Sequence, residues 1–277
     1  MAQESPYDQY ASNCYHVQAD QGSRAPVNGE ARSAMPIDLN RHRLLAKVDT
    51  FWITGVLAQS LHEATFLALG LQEQPHAITD PWMMNHAVSS LPTGIHITQV
   101  YDQVEGELLL LGAPGAGKTT LLLQLARDLL RRAQHDEAHP MPVIFNLSSW
   151  ATKRQPLGEW LVEELYSKYE VPLLLGREWI VTNQILPLLD GLDEVREEQR
   201  AACVEAINVY RRAHTTPMVV CCRQADYDAL GHTARLRLHN AIAVEPLTAL
   251  QIDDYLARAG EDLAAVREIL RTDRDLP

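Results

Sequence analysis

The run Leu108-Leu109-Leu110-Leu111 passes directly into Gly112-Ala113-Pro114-Gly115-Ala116-Gly117-Lys118-Thr119, and helix-forming sequence follows at once. Few folds accept that order. An all-apolar run of strand length, closed by a glycine loop, suits a strand buried on both faces, and so a parallel sheet with helices on either side. A helix from Gly117 to about Ala133 then carries the chain back over that sheet.

The loop itself implies a ligand. Gly112, Gly115 and Gly117 allow unusual backbone angles and close approach, so that successive N–H groups can point at one anion. The helix N-terminus adds a partial positive charge at the same place. The eight residues satisfy the phosphate-loop pattern GxxxxGK[ST] in its required setting, after a strand and before a helix. Lys118 is expected to reach the β and γ phosphates of a nucleoside triphosphate, and the Thr119 hydroxyl to ligate Mg²⁺. The bland alternative is a glycine-rich turn without a ligand, which the strand-loop-helix setting disfavours.

Downstream, strands and helices alternate. Strands are expected at Val143 to Leu147, Ile185 to Leu189, Met218 to Cys222 and within Leu236 to Val244. Helices are expected at Leu157 to Tyr169, about Arg177 to Gln184, Arg196 to Arg212, Gln251 to Leu256 and Leu263 to Leu270. This alternation predicts an α/β fold, a phosphate-loop core with a parallel sheet flanked by helices. Ahead of it, Leu44, Leu45, Val48, Phe51, Trp52, Val56, Leu57 and Leu61 recur at spacings of three and four, which predicts an amphipathic helix. Thr65 to Leu71 reads as a short strand or more helix. Pro75 to Pro92 reads as irregular, with Pro81-Trp82 a buried anchor, and Ile95 to Tyr101 alternates like a strand.

A second motif carries acids. Ile185-Leu186-Pro187-Leu188-Leu189 ends in Asp190, then Gly191-Leu192-Asp193-Glu194. This places Asp190 at the C-terminal tip of a strand, the edge at which α/β sheets bind ligands. Asp190 there can hold Mg²⁺ through its water shell. Glu194 can polarise an attacking water, and Asp193 can support the metal or the water. The competing reading is a solvated acidic turn running into Glu197-Glu198. Arg223 follows the run Val219-Val220-Cys221-Cys222 and faces the same crevice, where it can sense or stabilise a γ-phosphate. Its alternative is a surface arginine beside Asp226 or Asp228.

Composition narrows the class. The chain of 277 residues has a net charge of −12, 46% hydrophobic and 22% charged residues, and no dense basic run, so no nucleic-acid partner is expected. No apolar run approaches the ~20 residues that a membrane-spanning helix needs. Four cysteines, Cys14, Cys203, Cys221 and Cys222, form no CxxC pair and suit a reducing, cytoplasmic setting. His62, His76, His86 and His96 have no metal spacing, and Trp150 and Trp160 read as packing residues. Residues 1 to about 40 are poor in periodic apolar residues and read as disordered or as a linker.

Together these residues resemble the NACHT-domain NTPases of the STAND class. Gly112 to Thr119 with Thr120 matches their phosphate loop. Leu188-Leu189-Asp190-Gly191-Leu192-Asp193-Glu194 is the most diagnostic piece, because a small residue after the first acid and then an acidic pair is typical of NACHT domains. Val219 to Arg223 looks like their sensor strand and arginine. Val244-Glu245-Pro246-Leu247 with Gln251-Ile252 and Tyr255-Leu256 looks like the junction into a helical subdomain. Phe51 to Leu57 and Phe145-Asn146-Leu147-Ser148-Ser149-Trp150 resemble a bacterial subgroup.

The resemblance covers about residues 44 to 277. It does not reach the family's winged-helix segment; and because Asp275-Leu276-Pro277 comes just after helical sequence, the natural protein is expected to continue. It implies ATP and ADP as ligands with Mg²⁺, slow hydrolysis, a signalling or defence role, and self-assembly in a full-length protein. The expected layout is 1–40 linker, 41–104 a helical and irregular lead-in, 105–246 the NACHT core, and 247–277 the start of a helical subdomain. Two rivals come from other classes: a non-hydrolysing nucleotide-binding scaffold, and a small-molecule or nucleoside kinase. Intact Asp190, Asp193 and Glu194 argue against the first. The second needs an arginine-bearing lid that the sequence does not show, and no NKxD-type motif points to a GTPase.

Overall fold

The computed structural model describes residues 36–58, 69–78, 90–92, 94–231, 234–258 and 267. The chain divides into two units, Met1–Met35 and Pro36–Pro277, and every described residue lies in the second. Helix α1 (Pro36–Val48) continues as π-helix over Asp49–Leu57. Strand β1 (Leu71–Glu73), a 3₁₀ turn at Pro75–Ala77 and helix α2 (Ile97–Gln103) lead into β2 (Leu108–Gly112) and α3 (Lys118–His135). Then come β3 (Met141–Asn146), α4 (Trp150–Lys153), α5 (Leu157–Tyr169), α6 (Leu173–Val181) and β4 (Ile185–Asp190). The rest is α7 (Glu197–Ala213), β5 (Val219–Arg223), α8 (Gln224–Asp228), β6 (Asn240–Val244) and α9 (Ala249–Arg258).

The strands form one six-stranded sheet in the order β1-β6-β2-β5-β4-β3. All neighbours are parallel except β1, which pairs antiparallel with β6 at the edge. The fold is therefore the expected α/β phosphate-loop core with a mostly parallel sheet. Leu108 to Leu111 are wholly buried, as a strand covered on both faces must be. From β2 the chain crosses to the far edge at β3 and returns through β4 to β5, which lies between β2 and β4. Pro187 has no N–H to give to a ladder, and the pairing of β4 with β5 is confined to Leu188 and Leu189 beyond it.

The consequence for function is where the strands end. Gly112 is in register with Arg223 on one side and Val244 on the other, and Asn146 is in register with Asp190. The tips that carry the candidate residues thus share the C-terminal edge of the sheet. Behind them, buried Arg41 of α1 donates from Nη2 to Ala133 O at 3.0 Å and His139 O at 2.7 Å. Those carbonyls include an orphan acceptor of the last turn of α3, so α1 braces the helix that carries the phosphate loop.

Several local expectations change. Ile95 to Tyr101 is not a strand: α2 occupies Ile97–Gln103, and Ile97, Val100 and Tyr101 are buried at helical spacing. Short apolar alternation hid that period, whereas the His96 N–H bond to Gln99 Oε1 at 3.1 Å marks a helix start. The first helix begins at Pro36, at the end of the stretch to about residue 40 that reads as disordered or linker. The helix expected at 177–184 lies earlier, as α6, whereas the strand expected within Leu236 to Val244 is there, at Asn240–Val244. Trp150 and Trp160 are packing residues as expected, with Trp160 Nε1 donating to Ser149 Oγ at 3.1 Å. Cys203, Cys221 and Cys222 are free and buried. The expectations for Cys14, His62, His86 and Pro81-Trp82 fall outside the described residues, as do the 263–270 helix apart from Arg267 and most of 65–71. Among the described residues no helix is long and apolar enough to cross a membrane, and no cluster of His, Cys, Asp and Glu could hold a metal by itself.

Candidate functional site

Between β2 and α3 the chain turns through Gly112 to Thr119. Gly115 at φ +72° and Gly117 at φ +93° occupy the left-handed region that side chains other than hydrogen resist. Lys118 opens α3, and its Nζ donates to Gly112 O at 3.1 Å and Ala113 O at 2.8 Å. The lysine thus closes over its own loop. Ala113, Pro114, Gly115 and Thr119 are exposed, and Ala116, Gly117, Lys118 and Thr120 are half-buried. The opening turn of α3 accordingly presents its N-terminal dipole to an accessible face.

Asp190 ends β4, and Thr119 Oγ1 donates to its Oδ2 at 3.0 Å. Burial raises the Asp190 carboxyl above its ordinary value. The Thr119 bond and the Gly191 N–H pull it back, while the charges of Glu194 and Asp193 push it up further. Asp190 is thus a half-buried acid beside other acids, with a hydroxyl oxygen next to it, an oxygen donor set that suits a small hard divalent cation.

Beyond Asp190, Gly191 at φ +78° turns the chain into a 3₁₀ turn at Leu192–Glu194, anchored by fully buried Leu192. Glu194 points back toward β3, where Asn146 Nδ2 donates to its Oε2 at 2.9 Å. The Asn146 amide is itself oriented, because its Oδ1 accepts from Ser148 N at 2.8 Å. In the sequence Asn146 figures only within the motif Phe145 to Trp150. The available signal was a polar residue closing the buried run Val143-Ile144-Phe145, at the strand position that pairs with Asp190.

Arg223 is the last residue of β5, between the phosphate-loop strand and the acid strand. It pairs with neither of the acids proposed as its surface partners. Its backbone N–H donates to Asp193 Oδ1 at 3.0 Å, and its Nε lies 2.8 Å from Asp193 Oδ2. Asp226 pairs instead with Arg200, and Asp228 with Arg235. The structure therefore brings Thr119 against Asp190, Asp193 against Arg223, and Glu194 against Asn146, on adjoining tips of one sheet edge.

Residues 107–262 match the family of NACHT domains. The chain belongs to the NACHT family. Its phosphate-loop strand, acid strand and arginine strand all fall inside the matched region, so the NACHT core is a P-loop nucleotide-binding NTPase domain. No curated protein matches the chain.

Among solved structures, the NACHT core is similar to the Aeropyrum pernix ORC1 protein, solved in complex with DNA. The identity is 16% and the TM-score 0.39, over 60% of this chain and 47% of that one. It is also similar to C. elegans PCH-2, at 15% identity and a TM-score of 0.33, over 66% of this chain and 46% of that one. The similarity thus spans about half the length of either structure.

Proposed function

We propose that the chain binds ATP with Mg²⁺, hydrolyses it slowly to ADP, and changes conformation or assembly with the nucleotide bound. The observation that carries this is the 3.0 Å contact of Thr119 Oγ1 with Asp190 Oδ2, beside Lys118. Two oxygen ligands from separate elements meet there, next to a glycine loop whose lysine, among the described residues, bonds its own loop's carbonyls. Phosphates can take that lysine over, since charge-assisted bonds are stronger than bonds between neutral groups.

In this reading Gly112, Ala113, Pro114, Gly115, Ala116, Gly117, Lys118, Thr119 and Thr120 cradle the phosphates, with Lys118 on the β and γ groups. Thr119 and Asp190 hold Mg²⁺, which offsets phosphate charge when bound. Glu194 orients and deprotonates the attacking water. Arg223 addresses the γ-phosphate, a contact that ADP cannot offer. That difference is what a ligand needs to shift a conformational equilibrium. Asp193 acts through Arg223, since both its oxygens are engaged there. The strand β6 leads through Pro246 into α9, a short path from the sheet edge to the following helix.

A bacterial signalling or defence role and self-assembly in a longer protein are supported by the family resemblance, and a reducing cytoplasmic setting by the buried free thiols. Single-turnover measurement with labelled ATP, with Mg²⁺ and with a chelator, tests the activity. Magnesium-dependent formation of ADP is expected. Binding without turnover would leave the scaffold reading standing, and no binding would remove both. Parallel titration with GTP tests the choice of base.

A further inference from the structure

A guanidinium lies buried where helix physics disfavours one. Arg200 sits in the opening turn of α7 and is 5% exposed. That end of a helix carries partial positive charge, which Glu197 and Glu198 complement and Arg200 opposes. Taking an ion out of water is strongly unfavourable unless its partners are well placed.

The partners of Arg200 are specific. Its Nη2 donates to Asp193 O at 3.1 Å and to Val195 O at 3.3 Å, the carbonyls on either side of Glu194. The same nitrogen lies 3.1 Å from Asp226 Oδ1, and Nη1 donates to Asp226 O at 3.3 Å. Asp226 belongs to α8, the helix that starts directly after Arg223. Asp193 closes the circuit, with its carbonyl on Arg200 and its carboxylate on the backbone and side chain of Arg223.

We propose that Arg200 is a positioning residue for the nucleotide switch: it holds the turn bearing Glu194 and the tip bearing Arg223 at one separation, so that both address the same terminal phosphate. This rests on the ATP-switch reading above. A lysine cannot substitute fully, because a single ammonium lacks the planar fork that here serves two segments at once. Among the described residues Arg200 makes no hydrogen bond or ion pair with the phosphate loop, so its effect is on the terminal phosphate rather than on nucleotide affinity in general.

The test uses the full chain, fluorescent ADP, a non-hydrolysable ATP analogue and single-turnover hydrolysis. Arg200→Met is expected to keep ADP affinity within about threefold and to lose roughly tenfold or more of the preference for the ATP analogue, the scale of a bond to a charged group. Turnover at saturating ATP falls by a similar factor, and Arg200→Lys is intermediate. In an Arg223→Ala background, Arg200→Met adds less than about threefold to the lost preference, because contacts in one network are not additive. Equal loss of ADP and analogue binding, or full additivity with Arg223→Ala, would show a merely structural residue and overturn the proposal. Should Arg200→Met fail to fold, Asp226→Asn decides. Its side chain is 33% exposed and the guanidinium stays in place. A reduced preference with intact ADP affinity is expected, and an unchanged preference overturns the idea. A wild type that prefers the analogue but never turns over removes hydrolysis from the proposed function and leaves the Arg200 role standing. A wild type with no preference overturns both.

Discussion

Thr119 Oγ1 donates to Asp190 Oδ2 across 3.0 Å, tying the first turn of α3 to the tip of β4. The bond joins two residues 71 positions apart in the chain, and it survives only if β5 keeps its place between their strands. It also leaves a half-buried acid among acids, which has a consequence for stability.

Burial and the charges of Glu194 and Asp193 raise the Asp190 carboxyl against the pull of Thr119 and Gly191. A raised folded-state value means that the folded protein holds this proton more tightly than the unfolded chain. The resulting stability is present below the ordinary carboxylate range and is lost as pH rises through the raised value. At neutral pH the ionised group is therefore a liability to the nucleotide-free protein. Asp190→Asn keeps an acceptor for Thr119, so it should raise Tm at neutral pH, with the gain vanishing in acid. The same variant should lose the Mg²⁺ dependence of ATP binding. Thermal melts of both proteins across pH check this, and a variant less stable at neutral pH would contradict the sign.

Lys118→Ala should abolish useful nucleotide binding and leave the fold intact. Among the described residues its Nζ bonds Gly112 O and Ala113 O, both within its own loop. Two charge-assisted phosphate bonds at ~1.5–3 kcal/mol each correspond to roughly 10²–10⁴-fold in affinity. Tm should move by no more than about 2 °C, as for other substitutions outside the core. Titration with a fluorescent ATP analogue measures the first quantity, and unchanged affinity would remove the phosphate-loop reading.

Glu194→Gln separates chemistry from binding. A glutamine retains an oxygen that can accept from Asn146 Nδ2, so the 2.9 Å contact can persist. It is a poor base, and general-base catalysis contributes about 10²–10⁴-fold. Single-turnover hydrolysis should fall on that scale while nucleotide Kd shifts by less than about threefold. If Asp190→Asn stops turnover and Glu194→Gln does not, another group positions the water.

Much of this site was legible in the chain because its signals are local. The run from Leu108 to Leu111 names a buried strand, the glycines name the turn, and Asp190 closes an apolar run. What escaped depends on distant partners. Asn146 acquires its role from Glu194, 48 positions away, and nothing near Asn146 announces that acid. Arg200 lies unremarked within the helix expected at Arg196 to Arg212, and its burial follows from the acid turn and α8 packing onto one side of it. The helix α2 was misjudged for the opposite reason, since seven residues of helix carry too few turns for their period to outweigh a short alternation. Likewise β1 is three residues long and exists because β6 offers it an edge.

Gly191 is where a local signal and a distant constraint coincide. A small residue after Asp190 marks the motif in sequence, and the structure supplies two reasons for it. The backbone sits at φ +78°, where an L side chain costs roughly 1–2 kcal/mol. A Cβ there would also lie 2.9 Å from Glu194 Cδ and 3.1 Å from its Oε2, so it would displace the proposed base. Gly191→Ala should therefore lower stability by about 1–2 kcal/mol and, separately, reduce turnover by roughly tenfold or more with ADP affinity little changed. Gly231→Ala provides the control. Its φ is +67°, with no described atom within 4 Å of the added carbon, so it carries the backbone cost without the collision. Denaturant unfolding should give the two variants similar losses, and single-turnover assays should separate them. Equal turnover in both would mean that Glu194 tolerates displacement and that its present position beside Asn146 is not the one that matters for the chemistry.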